Sequence, residues 1–414
     1  MEKAKRKYAS IFELDGIPQM SKALPLALQH VVAMIVGCVT PAIIVAGVAG
    51  LDNANRVMLI QSALVVSALS TFLQLFPIGP KNGFRMGAGL PVIMGTSFAY
   101  VASMQAIAAD TGIAAIFGAQ IIGGIIAMII GFFIDKIRKV FPPLVTGTVV
   151  FTIGLSLYPT AVNYMAGGAS SGNYGHWTNW LVAIITLAIV TFLNHFTKGF
   201  LKLASILIGI ICGYIITACF GMVDLSAVAQ ASFFQMPQIM HFGIQFDPSS
   251  CIAIGLLFAI NAIQAIGDFT ATTTGGMDRE PTDKELKGAI VGYGCTNVIG
   301  AFLGGLPTAS YSQNVGIVTT TKVINRVVLG MGAGILLIAG LVPKFSALLT
   351  TIPQCVLGGA TISVFASIAM TGIKLLVSEG MSTRNTTVAG LSIAIGMGVS
   401  LSNGCLNQMT STIY

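Results

Sequence analysis

Gly304-Gly-Leu-Pro-Thr-Ala-Ser-Tyr-Ser-Gln-Asn-Val-Gly-Ile-Val-Thr-Thr-Thr-Lys322 is a polar, glycine-punctuated island set among long apolar runs. So many hydroxyl and amide groups survive at bilayer depth only where they face protein or water, because lipid offers no hydrogen-bond partner. A second stretch, Gly87-Ala-Gly-Leu-Pro-Val-Ile-Met-Gly-Thr-Ser-Phe98, repeats the Gly-Leu-Pro core with polar residues just after it. Segments interrupted by Gly and Pro at corresponding places of two halves point to a secondary-transporter site. Chance recurrence of Gly-Leu-Pro in a chain with 48 glycines is the alternative. The shared polarity and the topology argue against it.

Composition leads to the same class. With 55% hydrophobic and 8% charged residues and a mean hydropathy of +0.87, the chain reads as a polytopic membrane protein. Apolar stretches of spanning length fall near 23–48, 57–78, 87–106, 114–134, 140–161, 178–194, 203–222, 250–270, 287–303, 306–321, 326–345, 353–376 and 386–403, thirteen segments in all. The two Gly-Leu-Pro stretches occupy segments three and ten. Seven segments of separation, an odd number, turn the second copy upside down, so the expected fold is an all-α membrane protein with an inverted seven-segment repeat.

Lysine and arginine test this threading, since they should gather on alternate connections. With the N-terminus cytoplasmic, one side collects Lys3, Lys5, Arg6, Lys7, Lys22, Lys81, Arg85, Lys136, Arg138, Lys139, Lys198, Lys202, Arg279, Lys284, Lys287, Lys322, Arg326, Lys374 and Arg384. The other holds Arg56 and Lys344. The net charge of +7 is thus a topological label and not a nucleic-acid footprint. No cleavable signal peptide is expected, because a charged start runs straight into a full-length first segment. The seven cysteines show no Cys-x-x-Cys spacing and are expected to be packing residues. No phosphate loop, Gly-x-Ser-x-Gly or His-Glu-x-x-His motif is present, so neither an enzyme nor an ATP-driven pump is expected.

Gln313-Asn314-Val315-Gly316 followed by Thr321-Lys322 resembles the signature of the nucleobase-ascorbate transporter family, Gln/Glu/Pro-Asn-x-Gly-x-x-x-x-Thr-Lys/Arg/Gly. The resemblance extends to Gln29-His30-Val31, Phe141-Pro-Pro-Leu-Val-Thr-Gly-Thr148, Gly267-Asp268 and Pro353 to Gly359. It implies that segments three and ten each hold a short strand and a half-helix, with substrate between them and segment eight. It further implies a cytoplasmic tail (1–22), a core domain in two halves (23–134 and 250–345) and a gate domain in two halves (135–249 and 346–414). Relatives have fourteen segments. Here the polar stretch from Ser402 to Tyr414 is too short to cross again, which leaves the last gate helix absent or the chain truncated. A homodimer through the gate domain in the lipid of the cell membrane is also implied, with no cofactor, no metal and a proton as coupling ion.

Intramembrane ionisable and amide groups are functional candidates by default, and few are present. Gln264 and Asp268 are one turn apart on one helix face. An amide both donates and accepts, so it suits the edge of a purine such as xanthine or urate. In the family resembled, Gln at the position of Gln313 goes with an oxidised purine, Glu with uracil and Pro with ascorbate. Asn314 would support the site by hydrogen bonding and Gly316 would permit close helix packing. A polar helix clamp without a ligand is the alternative for Gln313 and Asn314.

The family pattern in segment eight, Glu-x-x-Gly-Asp, reads Gln264-Ala-Ile-Gly-Asp268 here, and Gln264 cannot titrate. A further family carboxylate falls on Tyr293, which is neutral near pH 7. Proton coupling would then rest on Asp268 and His30. His30 has an alternative as a hydrogen-bonded structural partner, and Asp268 as an ion-pair or capping residue at the end of segment eight. Lys322 belongs at the inner mouth. Ser97 and Phe98 match positions offering a backbone contact and an aromatic face to the ring. Thr319, Thr320 and Thr321 either line the path or bond back within their helix. The expected function is a secondary active importer of xanthine or urate. An uncoupled facilitator, a uracil carrier and a binding-only sensor are the rivals.

Overall fold

Apolar runs with few helix breakers form long helices, since in lipid every backbone group must be satisfied within its own segment or by protein. In chain order these are α1 (Met20–Val48), α2 (Asn53–Leu75), β1 (Met94–Thr96), α3 (Val101–Asp110), α4 (Ile113–Phe132), α5 (Pro143–Ser156), α6 (Tyr158–Met165), α7 (Trp177–Phe196), α8 (Phe200–Leu203), α9 (Ser205–Cys219), α10 (Ser226–Gln230), α11 (Pro248–Met277), α12 (Asp283–Phe302), β2 (Thr308–Ser310), α13 (Ser312–Thr321), α14 (Arg326–Leu341), α15 (Pro343–Thr350), α16 (Gln354–Ser378) and α17 (Thr383–Leu401). This computed structural model describes residues 8–80, 83, 85–134, 142–168, 172–378 and 380–402. Lys3, Lys5, Arg6, Lys7, Lys81, Lys136, Arg138, Lys139, Phe141 and the polar stretch 403–414 lie outside the described residues.

Among the described residues, seven helical stretches are long and apolar enough to cross a membrane, with α5 and α6 counted as one. The eleventh expected segment, 326–345, does not run through. It bends by 81° between α14 and α15, because Pro343 has no N–H to donate and forces the preceding residue into extended backbone. Val342 accordingly sits at φ −107° and ψ 95°. Helix starts are set by side-chain caps. Asp52 accepts from the Asn55 N–H at 2.8 Å and Asp247 from the Ser250 N–H at 2.7 Å, each satisfying a first-turn donor.

The helices pack as two groups. In one, α12 lies along α4, α11 along α4, and α14 along α2 and α1; in the other, α16 runs against α5, α6 and α7, and α17 against α5. Glycine allows the closest approach in the first group. A methyl added at Gly124 would meet the Gly294 carbonyl oxygen at 2.8 Å, so these two backbones are in near contact.

The two Gly-Leu-Pro stretches meet inside the first group. β1 pairs antiparallel with β2, with Met94 opposite Ser310, Gly95 opposite Ala309 and Thr96 opposite Thr308. A two-stranded ribbon has two unpaired edges, each costly to bury, and neighbouring side chains cover them. On α2, Thr71 Oγ1 accepts from the Met94 N–H and donates to the Met94 carbonyl, both at 3.0 Å, while Ser67 Oγ accepts from the Thr96 N–H at 3.2 Å. On α12, Asn297 Oδ1 accepts from the Thr308 N–H at 2.8 Å and Nδ2 donates to its carbonyl at 3.3 Å. The ribbon is anchored on both edges, and short helices leave it at Val101 and Ser312.

Candidate functional site

A cavity of about 160 Å³ opens where the ribbon, α1 and α11 of the first group face α5, α9 and α16 of the second. Its two walls differ. The first group contributes Ser97, Phe98, Asn261, Gln264, Ser310, Ser312 and Gln313, whereas Val150, Ile153, Ile206, Val364 and Ile368 make the opposite side mostly apolar. Flat heterocycles suit such a space, since apolar walls take the ring faces and a few polar groups fix the edge.

Four of the expected substrate-contacting residues line this cavity: Ser97, Phe98, Gln264 and Gln313. Among the described residues, no protein group bonds the side-chain amides of Gln264 and Gln313, and both are directed at the cavity. The first-turn N–H groups of Ser312 and Gln313 also have no intrahelical acceptor, so the positive end of α13 points into the same space. Phe98 packs edge-on against Phe365 of α16, with ring centroids 5.3 Å apart. The Ser97 N–H is already donated to the Pro307 carbonyl at 3.0 Å, and its hydroxyl accepts from the Ala99 N–H. A backbone contact from Ser97 through its N–H is therefore excluded in this conformation.

Asn314 does not reach the cavity, a correction to its placement among the substrate-contacting residues. A helical step of about 100° per residue turns it away from Gln313, and it is buried against α1. Its Nδ2 lies 3.1 Å from His30 Nδ1 and donates to the His30 carbonyl at 3.2 Å. Both residues are about 1% exposed. The adjacent amides thus divide their roles in space, Asn314 as an interhelical clamp and Gln313 on the open side.

Asp268 lies behind Gln264, well within α11 and away from its end. Its Oδ2 accepts from the Ser310 hydroxyl at 2.5 Å and its Oδ1 from the Ser312 hydroxyl at 2.9 Å. It joins no ion pair among the described residues, so the end-of-helix ion-pair reading is replaced by a hydroxyl cradle. The two serines flank Tyr311, which immediately precedes α13, and its hydroxyl donates to the Thr96 carbonyl at 2.7 Å. One carboxylate therefore holds the end of β2 and the start of α13 together.

The remaining signature residues are remote from the cavity. A methyl built on Gly316 would have open space around it, so close helix packing does not explain this glycine; its carbonyl instead accepts from the Thr319 and Thr320 hydroxyls at 3.0 and 2.7 Å. Thr321 bonds back to the Ile317 carbonyl at 2.8 Å. Lys322 ends α13 in a left-handed turn at φ 59° and pairs with Asp278 at 2.7 Å on the exposed surface. Tyr293 is buried on α12, hydrogen-bonded to the Tyr100 hydroxyl and stacked on Phe258. Sequence reasoning missed Asn261, Ser310, Ser312 and Tyr311. Asn261 stands one turn before Gln264, and the serines alternate with Tyr311 just before Gln313, so each had a positional signal. The apolar wall had none, because tertiary packing alone brings it there.

Apolar helices, a strand-broken pair at their centre and a polar-edged cavity between two helix groups define a membrane permease and not an enzyme. A permease-family model, Xan_ur_permease, matches residues 21–404, and the chain belongs to that family. It is 34% identical to a xanthine permease of Bacillus subtilis over 95% of this chain and 89% of that one. With xanthine permease XanQ of Escherichia coli it shares 31% identity over 98% and 89%. With uric acid permease PucJ of Bacillus subtilis it shares 34% over 95% and 88%. Among solved structures, the transmembrane domain of the cyanobacterial bicarbonate transporter BicA has the same fold. The TM-score is 0.65 at 19% identity, covering 91% of this chain and 96% of that domain.

Proposed function

We propose that this permease is a secondary active carrier that imports an oxidised purine, xanthine or urate, by proton symport. The observation that carries the reading is the pair of unpartnered amides, Gln264 and Gln313, on the polar wall of a cavity whose other wall is apolar. A purine dione presents alternating N–H donors and C=O acceptors in one plane, and two amides that each donate and accept complement that pattern. The names of the relatives, xanthine and uric acid permeases, agree with this substrate class.

Asp268 stands one turn from Gln264 on α11, and its serine cradle links its charge to the start of α13. Protonation would remove the acceptor charge that holds Ser310 and Ser312, loosening the half-helix that carries Gln313. The first helix group acts as the substrate-bearing core and the second as the gate, moving in alternating access. The two halves form an inverted repeat crossing at β1 and β2, with the N-terminus cytoplasmic and the gate as dimer surface in the lipid. A second reading, an uncoupled facilitator, has one observation in its favour, the amide at Gln264, which cannot titrate, where the pattern of the family resembled has Glu.

Uptake of labelled xanthine by cells lacking their own purine permeases separates these. Unlabelled urate, uracil and ascorbate serve as competitors and a protonophore as control. Concentrative uptake blocked by urate and protonophore is expected. Uptake that only equilibrates would favour the facilitator, and competition by uracil alone would overturn the purine assignment.

A further inference from the structure

Asn261 lies on α11, one turn before Gln264, and lines the same cavity. It is 3% exposed. Its Nδ2 donates to the Leu257 carbonyl at 2.9 Å, a backward bond within its own helix that fixes the amide plane. Among the described residues, no group donates to Oδ1. Oδ1 opens to the cavity, where Val150, Ile153 and Val364 of the opposite helix group form a facing wall with no donor, and an acceptor enclosed there without one is unfavourable. When these walls close without a ligand donor, nothing apolar can replace that hydrogen bond.

We infer that Asn261 is a specificity-determining residue that accepts a hydrogen bond from the imidazole-ring N–H of a bicyclic purine. This deepens the proposed function and rests on it. Residues three apart on one helix are separated by about 4.5 Å along its axis. A fused bicycle lying along α11 reaches both Gln264 and Asn261. A monocyclic pyrimidine held by Gln264 stops short and leaves Oδ1 unmet. Gln264 and Gln313 can read the dione edge, which xanthine shares with uracil, but that edge does not tell the two apart. The N–H of the second ring does, and Asn261 Oδ1, with no donor among the described residues, is the cavity-lining acceptor one turn away. Discrimination then comes as much from the penalty on ligands lacking this donor as from attraction to those having it.

The test compares wild type with Asn261→Leu and Asn261→Asp in purine-permease-deficient cells. Inhibition constants against labelled xanthine are measured for unlabelled xanthine, 7-methylxanthine, 9-methylxanthine, 1-methylxanthine and uracil, with the membrane level of each variant quantified. Asn261→Leu should weaken xanthine by roughly 2- to 10-fold, the range of one neutral hydrogen bond. It should leave uracil no weaker, or tighten it as the penalty of the unmet acceptor goes, and shrink the preference for xanthine over its imidazole-methylated analogues to within about twofold of unity. Asn261→Asp keeps the acceptor and should retain the preference. A general structural role would weaken all five ligands in parallel, and that outcome, or unchanged ratios, overturns the proposal while leaving the purine-carrier reading standing. Wild-type protein that neither takes up nor binds any purine would sink both. If Asn261→Leu does not reach the membrane, Asn261→Ser is scored by the same ratios, and loss of imidazole discrimination is again required.

Discussion

Asp268→Asn tests the coupling chemistry most directly, because it preserves side-chain shape while removing the charge and the proton site. In the native arrangement the carboxylate accepts from Ser310 at 2.5 Å and from Ser312 at 2.9 Å. Hydrogen bonds to a charged group contribute about 1.5–3 kcal/mol and neutral ones about 0.5–1.5 kcal/mol, so each bond loses roughly 1 kcal/mol and the pair about 2 kcal/mol. One serine must also rotate to accept from the new amide, which a hydroxyl can do. Folding should therefore survive, with a modest loss of stability. The transport consequence is larger. One proton moving through about 100 mV supplies about 2.3 kcal/mol, which supports roughly 40- to 50-fold accumulation at one proton per substrate. In cells or vesicles held at that potential, wild type should approach this ratio and Asp268→Asn should fall to near unity, with exchange of labelled for unlabelled xanthine retained. Protonophore-sensitive accumulation persisting in the variant would refute the assignment of Asp268 as the coupling group. Loss of exchange as well would show that the serine cradle needs the charge simply to hold α13.

Gln313→Ala should abolish xanthine uptake at normal membrane levels, and unchanged kinetics would remove this residue from the site. Gln264→Glu restores a titratable group one turn from Asp268 and should change the pH profile of uptake or the competitor ranking; profiles identical to wild type would show that this position senses neither proton nor substrate. Gly95→Ala places a methyl against the Tyr311 ring and within 2.7 Å of Cys38 Sγ, in a buried ribbon with no room to give. Overpacking of this kind costs about 1–3 kcal/mol, so thermal stability in detergent should drop and xanthine affinity fall with it, whereas an unperturbed variant would show that the ribbon can shift without moving the site.

The amino-acid sequence by itself determined the membrane class, through apolar runs whose length matches a bilayer, and it located the two polar islands that interrupt them. It also placed Gln264 and Asp268 on one face of α11, because helical periodicity decides that without reference to neighbours. The family signature at Gln313 through Lys322 was legible as a string, but the string does not say which of its residues face the cavity. Only tertiary structure separated Gln313 on the cavity from Asn314 on His30, and left Gly316 and Lys322 away from the site. The edge anchors of the ribbon, Ser67 and Thr71 on α2 and Asn297 on α12, looked like ordinary polar residues of apolar segments. Their role appears only once the strands lie beside them, since a buried strand edge must be satisfied by whatever side chain the fold brings within hydrogen-bond distance. The apolar half of the cavity is likewise a product of two helix groups meeting, and no local pattern in α5 or α16 distinguishes a wall that faces substrate from one that faces lipid.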